Sequence, residues 1–95
     1  MIISDQELVA RAKAHDDHYA FSQLVKKYQS PLRLFLRRLL NGDEVRADDV
    51  AQETFLLAYR KLDKFEGRSS FATWLFAIGR NQFLMFMRKK RVDFS

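Results

Sequence analysis

Residues that end helices or form turns are scarce in this chain, which has three glycines and one proline among 95 residues. An all-β domain of this length needs many short strands joined by turns, so the scarcity argues against that class. Apolar residues recur instead at steps of three and four, which is the pattern of amphipathic helices. The sequence therefore predicts one domain with an all-α fold, a small helical bundle of four to five helices.

Capping residues mark the ends of the first two predicted helices. Ser4, with Glu7 three residues later, is typical of a capping box and predicts the start of the first helix. We expect that helix to end near His15 and Asp16. Either Asp16 or Asp17 then caps the second helix, whose apolar residues follow at three- and four-residue steps.

Proline and glycine mark the remaining boundaries. Pro31 directly after Ser30 predicts a new N-terminus, and therefore a separate third helix. The run Asn41-Gly42-Asp43 is the clearest helix stop in the chain. Two further helices are predicted: one from about Ala47 to Leu62 and, after a loop from Asp63 to Arg68 and a cap at Ser69 or Ser70, one from Phe71 to about Arg91.

Composition and motifs argue against several classes of protein. With no cysteine, the chain has no disulfide and no thiolate metal or redox site. No run approaches the ~20 apolar residues of a membrane span, and the N-terminus does not have the pattern of a secretory signal. We therefore expect a cytoplasmic protein with no membrane partner.

Motifs for catalysis are missing as well. The sequence has no glycine-rich phosphate loop and no nucleophile elbow, so we expect no enzyme and no cofactor. His15 and His18, which flank Asp16 and Asp17, have too few neighbours for a typical metal site. We predict no metal, and keep a small metal protein or enzyme at these histidines as an alternative.

The positive charge is concentrated in the last third of the chain. Residues 67–95 contain six Lys or Arg and one Asp, whereas basic and acidic residues nearly balance in the rest. A basic segment of this kind favours a polyanionic partner at the C-terminal end. The alternative is an ordinary solvated basic tail.

A polar face on the helix from Ala47 is a candidate protein-binding surface. Asp49, Gln52 and Glu53 lie at i, i+3 and i+4, opposite the apolar arc of the helix. Leu56 falls within this face, with Tyr59 and Arg60 at its margins. An apolar anchor with a polar rim is typical of a protein interface, and the alternative is a solvated face with one exposed leucine.

The last helix and the loop before it carry candidate nucleic-acid contacts. Arg80, Arg88 and Arg91, near Lys89 and Lys90, have the charge to neutralise phosphates. Donors suited to base edges are also present: Asn81, Arg68, Ser69 and Ser70. Nearby aromatic residues suit stacking on unpaired bases, although core packing explains most of the nine phenylalanines. An anionic membrane surface is a less favoured partner, because the apolar arc is needed for the core.

Several motifs resemble one family. The run from Asp49 to Phe55 (DVAQETF), followed by Ala58-Tyr59-Arg60, is similar to the signature helix of bacterial sigma factors. The run from Phe65 to Leu75 (FEGRSSFATWL), followed by Arg80-Asn81, resembles the promoter-reading segment of their extracytoplasmic-function group. The resemblance extends from about Ser4 to Arg91 and includes Asp5 to Val9, Ala20-Phe21 and Tyr28.

This resemblance implies a sigma-2 domain over residues 1–95, without the C-terminal domain that reads the −35 element. The chain is then an isolated N-terminal domain or an excised fragment. The implied function is promoter recognition, in which the domain binds RNA polymerase core and the melted non-template strand of the −10 element. The polymerase makes the bonds. An anti-sigma factor is a further implied partner.

Roles follow for the individual residues. The resemblance implies that Asp49, Gln52 and Glu53 bind the clamp helices of the beta-prime subunit, and Leu56, Tyr59 and Arg60 belong to the same surface. It also implies that the loop holds a flipped base and that Trp74 and Phe71 brace this loop. The implied DNA-binding residues are Gly67, Arg68, Ser69, Ser70, Phe71, Trp74, Arg80, Asn81, Arg88 and Arg91.

The chain departs from the family pattern at two positions. His15 precedes Asp16 where the family often has glycine, so we expect a differently shaped first turn. Met85 stands where the family often has Asp or Asn, so a polar contact or helix-stabilising pair is missing there. A protein-interaction module that captures a helical partner through Leu56 and Tyr59 is the main alternative function.

Overall fold

Four α-helices account for most of the structure. The computed structural model describes the backbone of residues 3–94 and the side chains of residues 3–90. Within these residues there is no strand, and the predicted all-α bundle is confirmed. None of the described helices has a stretch long and apolar enough to cross a membrane. The elements are α1 (Asp5–His15), α2 (His18–Leu39), α3 (Glu44–Lys61), a 3-10 turn (Leu62–Lys64) and α4 (Phe71–Phe94).

Each helix begins at a side-chain cap, which satisfies one of the N–H groups that the first turn leaves unpaired. Ser4 Oγ accepts a hydrogen bond from the Glu7 N–H of α1 at 3.2 Å. Asp17 caps α2, Asp43 caps α3 and Ser70 caps α4, each at 3.1 Å. Of the predicted alternatives, the residue that caps α2 is thus Asp17 and not Asp16, and the residue that caps α4 is Ser70 and not Ser69.

The turn between α1 and α2 is made without glycine. Asp16 adopts the left-handed conformation there, with φ 47° and ψ 45°. Aspartate tolerates this region better than most residues, because its short polar side chain can bond locally. His15 remains in α1, so the left-handed position is the aspartate itself. At the next turn Asn41 and Gly42 both have positive φ, as a helix stop requires.

Two predicted boundaries are wrong. α2 continues through Pro31, so the second and third predicted helices are one. A proline inside a helix costs about 3 kcal/mol. Here its ring is exposed, while Leu24 before it and Leu32 and Leu36 after it are fully buried, and this packing on both sides offsets the cost. α3 begins at Glu44 rather than Ala47, because the Asp43 cap directly follows the turn.

α2 is the central helix of the core. Its buried leucines contact α1 and α4 at one end of the bundle and α3 at the other. α4 approaches α2 and α3 closely at Gly79, where a methyl group would lie 3.1 Å from Leu32 Cδ1 and 3.6 Å from Thr54 Cγ2. Thr54 is fully buried, and its hydroxyl donates to the Val50 carbonyl at 2.7 Å. The absence of a side chain at Gly79 therefore sets the spacing of three helices.

Asp5 ties the start of α1 to the middle of α2. Its carboxylate accepts hydrogen bonds from Lys27 Nζ at 2.8 Å and from the Tyr28 hydroxyl. Burial and the bond to Asp5 raise the pKa of Tyr28. The bond to Asp5 also raises the pKa of Lys27. Both protons are thus held more firmly in the folded chain than in the unfolded one.

Replacing Gly79 with valine is expected to destabilise the fold by roughly 1–3 kcal/mol, because the new side chain overlaps Leu32 in a filled core. Urea unfolding followed by circular dichroism measures this change. Ala77→Val, at an exposed position of the same helix, is the control and should cost well under half as much. Equal losses in the two variants would contradict the close packing at Gly79.

Stability is expected to fall at alkaline pH. A raised pKa in the folded state adds stability that is complete below the unfolded value, about 10 for tyrosine, and is lost as the pH rises through the folded value. Tyr28→Phe should therefore lower the free energy of unfolding at neutral pH and flatten its decline above about pH 10. Urea titrations across this range test the effect. Tyr19→Phe, elsewhere on α2, should leave the slope as it is in the original chain.

Candidate functional site

Three aromatic side chains support the loop between the 3-10 turn and α4. Phe65 and Phe71 are buried and Trp74 is half-buried. Their ring centroids lie 4.9 Å apart for Phe65 and Trp74 and 5.8 Å apart for Phe71 and Trp74. Phe71 is only 4% exposed, so it has no open face for stacking on a base. Of the predicted DNA-binding residues, Phe71 is therefore one that supports the loop from within the core.

The loop itself is exposed from Glu66 to Ser70. Gly67 has a φ of 75°, a conformation that glycine takes at no steric cost. Arg68 pairs with Glu66 at 3.3 Å, and Ser70 Oγ is engaged by the first turn of α4. The Arg68 side chain is nevertheless 87% exposed. Polar donors are thus presented outward above the aromatic support.

One residue of α1 fixes this loop from the side. Lys13 Nζ donates a hydrogen bond to the Phe65 carbonyl at 2.6 Å. That bond joins residues 52 positions apart and is partly buried. Nothing in the local sequence around Lys13 indicates this contact, which depends on how α1 packs. The loop is therefore held by a hydrogen bond as well as by aromatic packing.

A pocket of about 250 Å³ opens between α1 and the loop. Its floor is apolar, and its polar groups come from both α1 and the loop. None of the predicted DNA-binding or polymerase-binding residues is in α1. The pocket is lined by Gln6, Val9, Ala10, Lys13, Phe65, Glu66, Gly67 and Phe71.

The outer face of α4 is basic and exposed. Arg80, Asn81 and Arg88 are all exposed. Arg80 and Arg88 belong to the arc opposite the buried Phe71 and Leu75, and Asn81 lies between the two arcs. Arg80 and Arg88 are two turns apart, about 12 Å along the axis. Neither forms a salt bridge with another described side chain, so both charges are available to a ligand. The side chain of Arg91 lies outside the described residues.

The polar face of α3 is also accessible. Asp49, Gln52, Glu53 and Arg60 are exposed, and Leu56 is 51% exposed among them. No described salt bridge includes Asp49 or Glu53. Two carboxylates and an apolar side chain are therefore open to a partner on one helix face.

A groove of about 500 Å³ runs between α2 and α3 beside this face. Of the predicted polymerase-binding residues, Gln52, Leu56 and Tyr59 line it, together with Ala51 and Phe55 of the same helix, whereas Asp49, Glu53 and Arg60 lie outside it. The α2 side was not among the predicted site residues, because Phe21 and Val25 fit the core stripe of that helix. The residues that α2 contributes are His18, Phe21, Val25, Gln29 and Arg33.

Tyr59 is fixed at one end of the groove by the turn between α1 and α2. Its hydroxyl donates to Asp16 Oδ1 at 2.8 Å and lies 3.1 Å from His18 Nδ1, and the His18 ring stacks on it. Phe21 meets the tyrosine ring edge-on at a centroid distance of 5.2 Å. The bond to Asp16 raises the pKa of Tyr59, as does burial. These contacts hold the ring in one orientation.

The sequence left a metal site at His15 and His18 as an alternative. Among the described residues no group of three or more His, Asp, Glu or Cys is placed to hold a metal ion. His18 instead packs on Tyr59, and His15 is exposed at the end of α1.

Comparison with known proteins gives consistent matches. The family model described as Sigma-70 region 2 matches residues 24–92. The chain is 46% identical over 77 residues to the RNA polymerase sigma-H factor of Pseudomonas aeruginosa, which covers 81% of this chain and 39% of that protein. It is 39% identical over 79 residues to the ECF RNA polymerase sigma-E factor of Haemophilus influenzae, covering 83% and 40%. The chain thus spans about two fifths of the length of these curated relatives.

A solved structure has the same fold. It is the NMR structure of an engineered region 2 of sigmaE in complex with GTAAAA, and it superposes with a TM-score of 0.84 at 34% sequence identity. The match covers 93% of this chain and 90% of that one. The described helices therefore correspond to those of a domain that has been observed with a short nucleic-acid strand.

Proposed function

Because the chain belongs to the sigma-70 region 2 family, we propose that it is the promoter-recognition domain of an extracytoplasmic-function sigma factor. In this proposal, residues 1–95 act as one sigma-2 domain in the cytoplasm. The domain binds RNA polymerase core through α3 and the melted non-template strand of the −10 element through α4 and its preceding loop. No bond-making step is assigned to it, since the polymerase carries out the chemistry.

The observation that carries the DNA role is the common exposure of the loop donors and the basic face of α4. Arg68 and Ser69 project from the supported loop, and Arg80, Asn81 and Arg88 are exposed further along the helix. Arginine contacts to phosphate supply affinity, while amide and hydroxyl groups suit base edges. Taking a base out of the stack costs a few kcal/mol, which such contacts offset only when the strand is already open. The domain would thus favour the melted strand over the duplex.

The polymerase role rests on the uncompensated charge of α3. Asp49 and Glu53 are exposed acidic groups around the half-exposed Leu56. Such an arrangement complements a basic helical surface, with the leucine as the buried anchor and the carboxylates as its rim. The clamp helices of the beta-prime subunit are the partner proposed for this face.

The groove between α2 and α3 supports a second candidate function, that of a protein-interaction module. Leu56 and Tyr59 give this groove an apolar wall, and an anti-sigma factor that inserts an apolar side chain is a partner of suitable chemistry. This candidate needs no basic face on α4. It therefore requires that loss of Arg80 or Asn81 leave function unchanged, which separates it from promoter recognition.

Single-stranded DNA binding is expected to decline with salt, at a slope of about −0.7 for each phosphate neutralised. Fluorescence anisotropy with a labelled GTAAAA strand, the strand bound by the solved relative, measures this slope. Arg80→Ala should reduce its magnitude by about 0.7, whereas Asn81→Ala should weaken binding by roughly 2- to 10-fold through a lost hydrogen bond.

Arg38→Ala is the charge-matched control, because it removes an exposed arginine from α2. It should leave the slope unchanged. A purely salt-driven response with the same affinity for every sequence would reduce the DNA role to general polyanion binding.

Binding to bacterial RNA polymerase core is expected to drop at least about tenfold in Glu53→Lys, because the new cation faces a basic partner surface. Glu53→Gln should give an intermediate loss. Competition for core against a labelled copy of the original chain measures both. Asp63→Lys makes the same change in charge at an exposed position off this face and should bind like the original chain. Equal losses for Glu53→Lys and Asp63→Lys would contradict a docking site on α3.

A further inference from the structure

The outward face of α4 has an apolar side chain at the centre of its basic residues. Leu84 is 47% exposed. Arg80 precedes it by four residues and Arg88 follows it by four, so the three side chains form one stripe along the helix. Leu84 lies outside both clusters of core residues that the structure describes, and none of the roles above uses it. Packing of the core therefore does not account for its place in the stripe.

The two arginines of the stripe have no compensating charge nearby. Arg33 of α2, for comparison, pairs with Asp48 of α3 at 3.5 Å. Neither Arg80 nor Arg88 forms a salt bridge with a described side chain. The described side chains of α4, at residues 71–90, include no Asp or Glu. A ligand with carboxylate groups would therefore supply the charges that this helix lacks.

The first half of the same face is nearly flat. Thr73 and Ala77 are exposed and small, and helical periodicity places them on the side of α4 that carries Leu84. Small side chains let a second helix approach closely, because the distance between packed helices depends on the side chains at their contact. From Thr73 to Arg88 the face extends about 22 Å, the length of about 15 helical residues. A second helix thus has room to lie along it.

Such a helix can contact the whole stripe at once. Residues at i, i+4 and i+8 lie about 6 Å apart along the axis of any α-helix, so two helices side by side can match them. A partner with Glu, Leu and Glu at these positions places a carboxylate near each arginine and its leucine against Leu84. The ion pairs then form a rim around an apolar contact, which is the arrangement of an interface anchor.

A nucleic-acid strand uses only part of this surface. Phosphates pair with Arg80 and Arg88, and a base edge suits Asn81. Phosphates gain nothing from an apolar side chain, since removing Leu84 from water is favourable only against another apolar group. The leucine is therefore the feature that separates a protein ligand from a phosphate backbone.

We infer that this face of α4 binds an acidic amphipathic helix of a protein partner, with Leu84 as the anchor and Arg80 and Arg88 as the partners of its carboxylates. The helix and the DNA strand need the same two arginines, so they exclude each other. Binding of the helix is independent of the proposed function, whereas the exclusion rests on it. A partner of this kind would regulate the domain by competing with the promoter strand.

A designed peptide tests the inference. The probe has about 18 residues, with Glu, Leu and Glu at i, i+4 and i+8 in a helix-favouring background of alanine and glutamine. The control peptide has the same composition, with the leucine moved to i+2 on the opposite side of the helix. Both are titrated at low salt into the isotope-labelled 95-residue chain, and binding is followed by NMR. The probe should bind at least about tenfold more tightly than the control and shift amide signals along the outward face of α4.

Variants of the chain separate the anchor from the charges. Leu84→Asn should weaken the probe about 5- to 30-fold, because it removes the apolar contact and keeps both arginines. Its affinity for GTAAAA should change by less than about twofold, since the phosphate contacts are intact. Leu34→Asn is the matched control at a leucine of α2 that is 41% exposed, and it should bind the probe as the original chain does. Arg88→Ala should weaken both ligands. Circular dichroism confirms that each variant is folded.

The alternative results are distinguishable. Equal binding of the two peptides, or equal binding of the probe by Leu84→Asn and Leu34→Asn, would show only a general attraction for acidic chains, and the inference would be wrong. A loss of GTAAAA affinity in Leu84→Asn as large as the loss for the probe would assign the leucine to the nucleic-acid surface and would also overturn it.

Competition tests the second half of the inference. Unlabelled GTAAAA should displace the probe from the original chain, and simultaneous binding of both would contradict the exclusion. If the probe binds through Leu84 while the original chain binds no GTAAAA at low salt, the helix site stands, and the proposed DNA role fails together with the exclusion.

Discussion

The close approach of α4 to α2 and α3 at Gly79 determines where every candidate surface lies. Because Leu32 and Thr54 occupy the space that a side chain would need, the axis of α4 is fixed against both neighbouring helices. Phe71 and Leu75 then face the core, and Arg80 and Asn81 face outward. The same packing directs the polar face of α3 away from α4. The proposed nucleic-acid surface and the proposed protein surface of α3 therefore share no side chain, although the chain has only 95 residues.

The loop before α4 illustrates how a small fold presents polar groups in a fixed place. Short exposed loops are mobile when few contacts hold them. Here Phe65, Phe71 and Trp74 support the loop and Lys13 binds its first carbonyl, so its donors start from a defined position. A ligand that binds this loop would therefore have to order fewer loop torsions, so more of its interaction energy would remain for affinity and selectivity.

Much of the fold could be predicted from the sequence, because local signals determine it. The capping residues, the Asn41-Gly42 stop and the three- and four-residue apolar steps all act within one or two turns. The helix break predicted at Pro31 is wrong, because the unfavourable local effect of the proline is outweighed by the packing of buried leucines on both sides of it. The exposure of Glu53 also followed from helical periodicity, whereas that of Asn81 did not, because Asn81 lies between the apolar and the basic arcs of its helix. Their roles in binding remain predictions.

The groove and the pocket could not be predicted in the same way. Each has walls from two different elements, and apolar residues at helical spacing such as Val25 and Val9 carry no signal that separates a site from the core. The bond from Lys13 to Phe65 likewise depends on tertiary packing and has no local pattern. The family resemblance included Asp5 to Val9 at the start of α1, but it implied roles only for residues of the loop, α3 and α4.

Asp16 combines two requirements that favour different residues. It ends α1 in a left-handed conformation, for which glycine is better suited, and it accepts the hydrogen bond that orients Tyr59 at the edge of the groove. A glycine at this position would relieve the backbone and release the tyrosine ring. Evolution of this turn toward greater stability would therefore loosen a surface that lies 43 residues further along the chain.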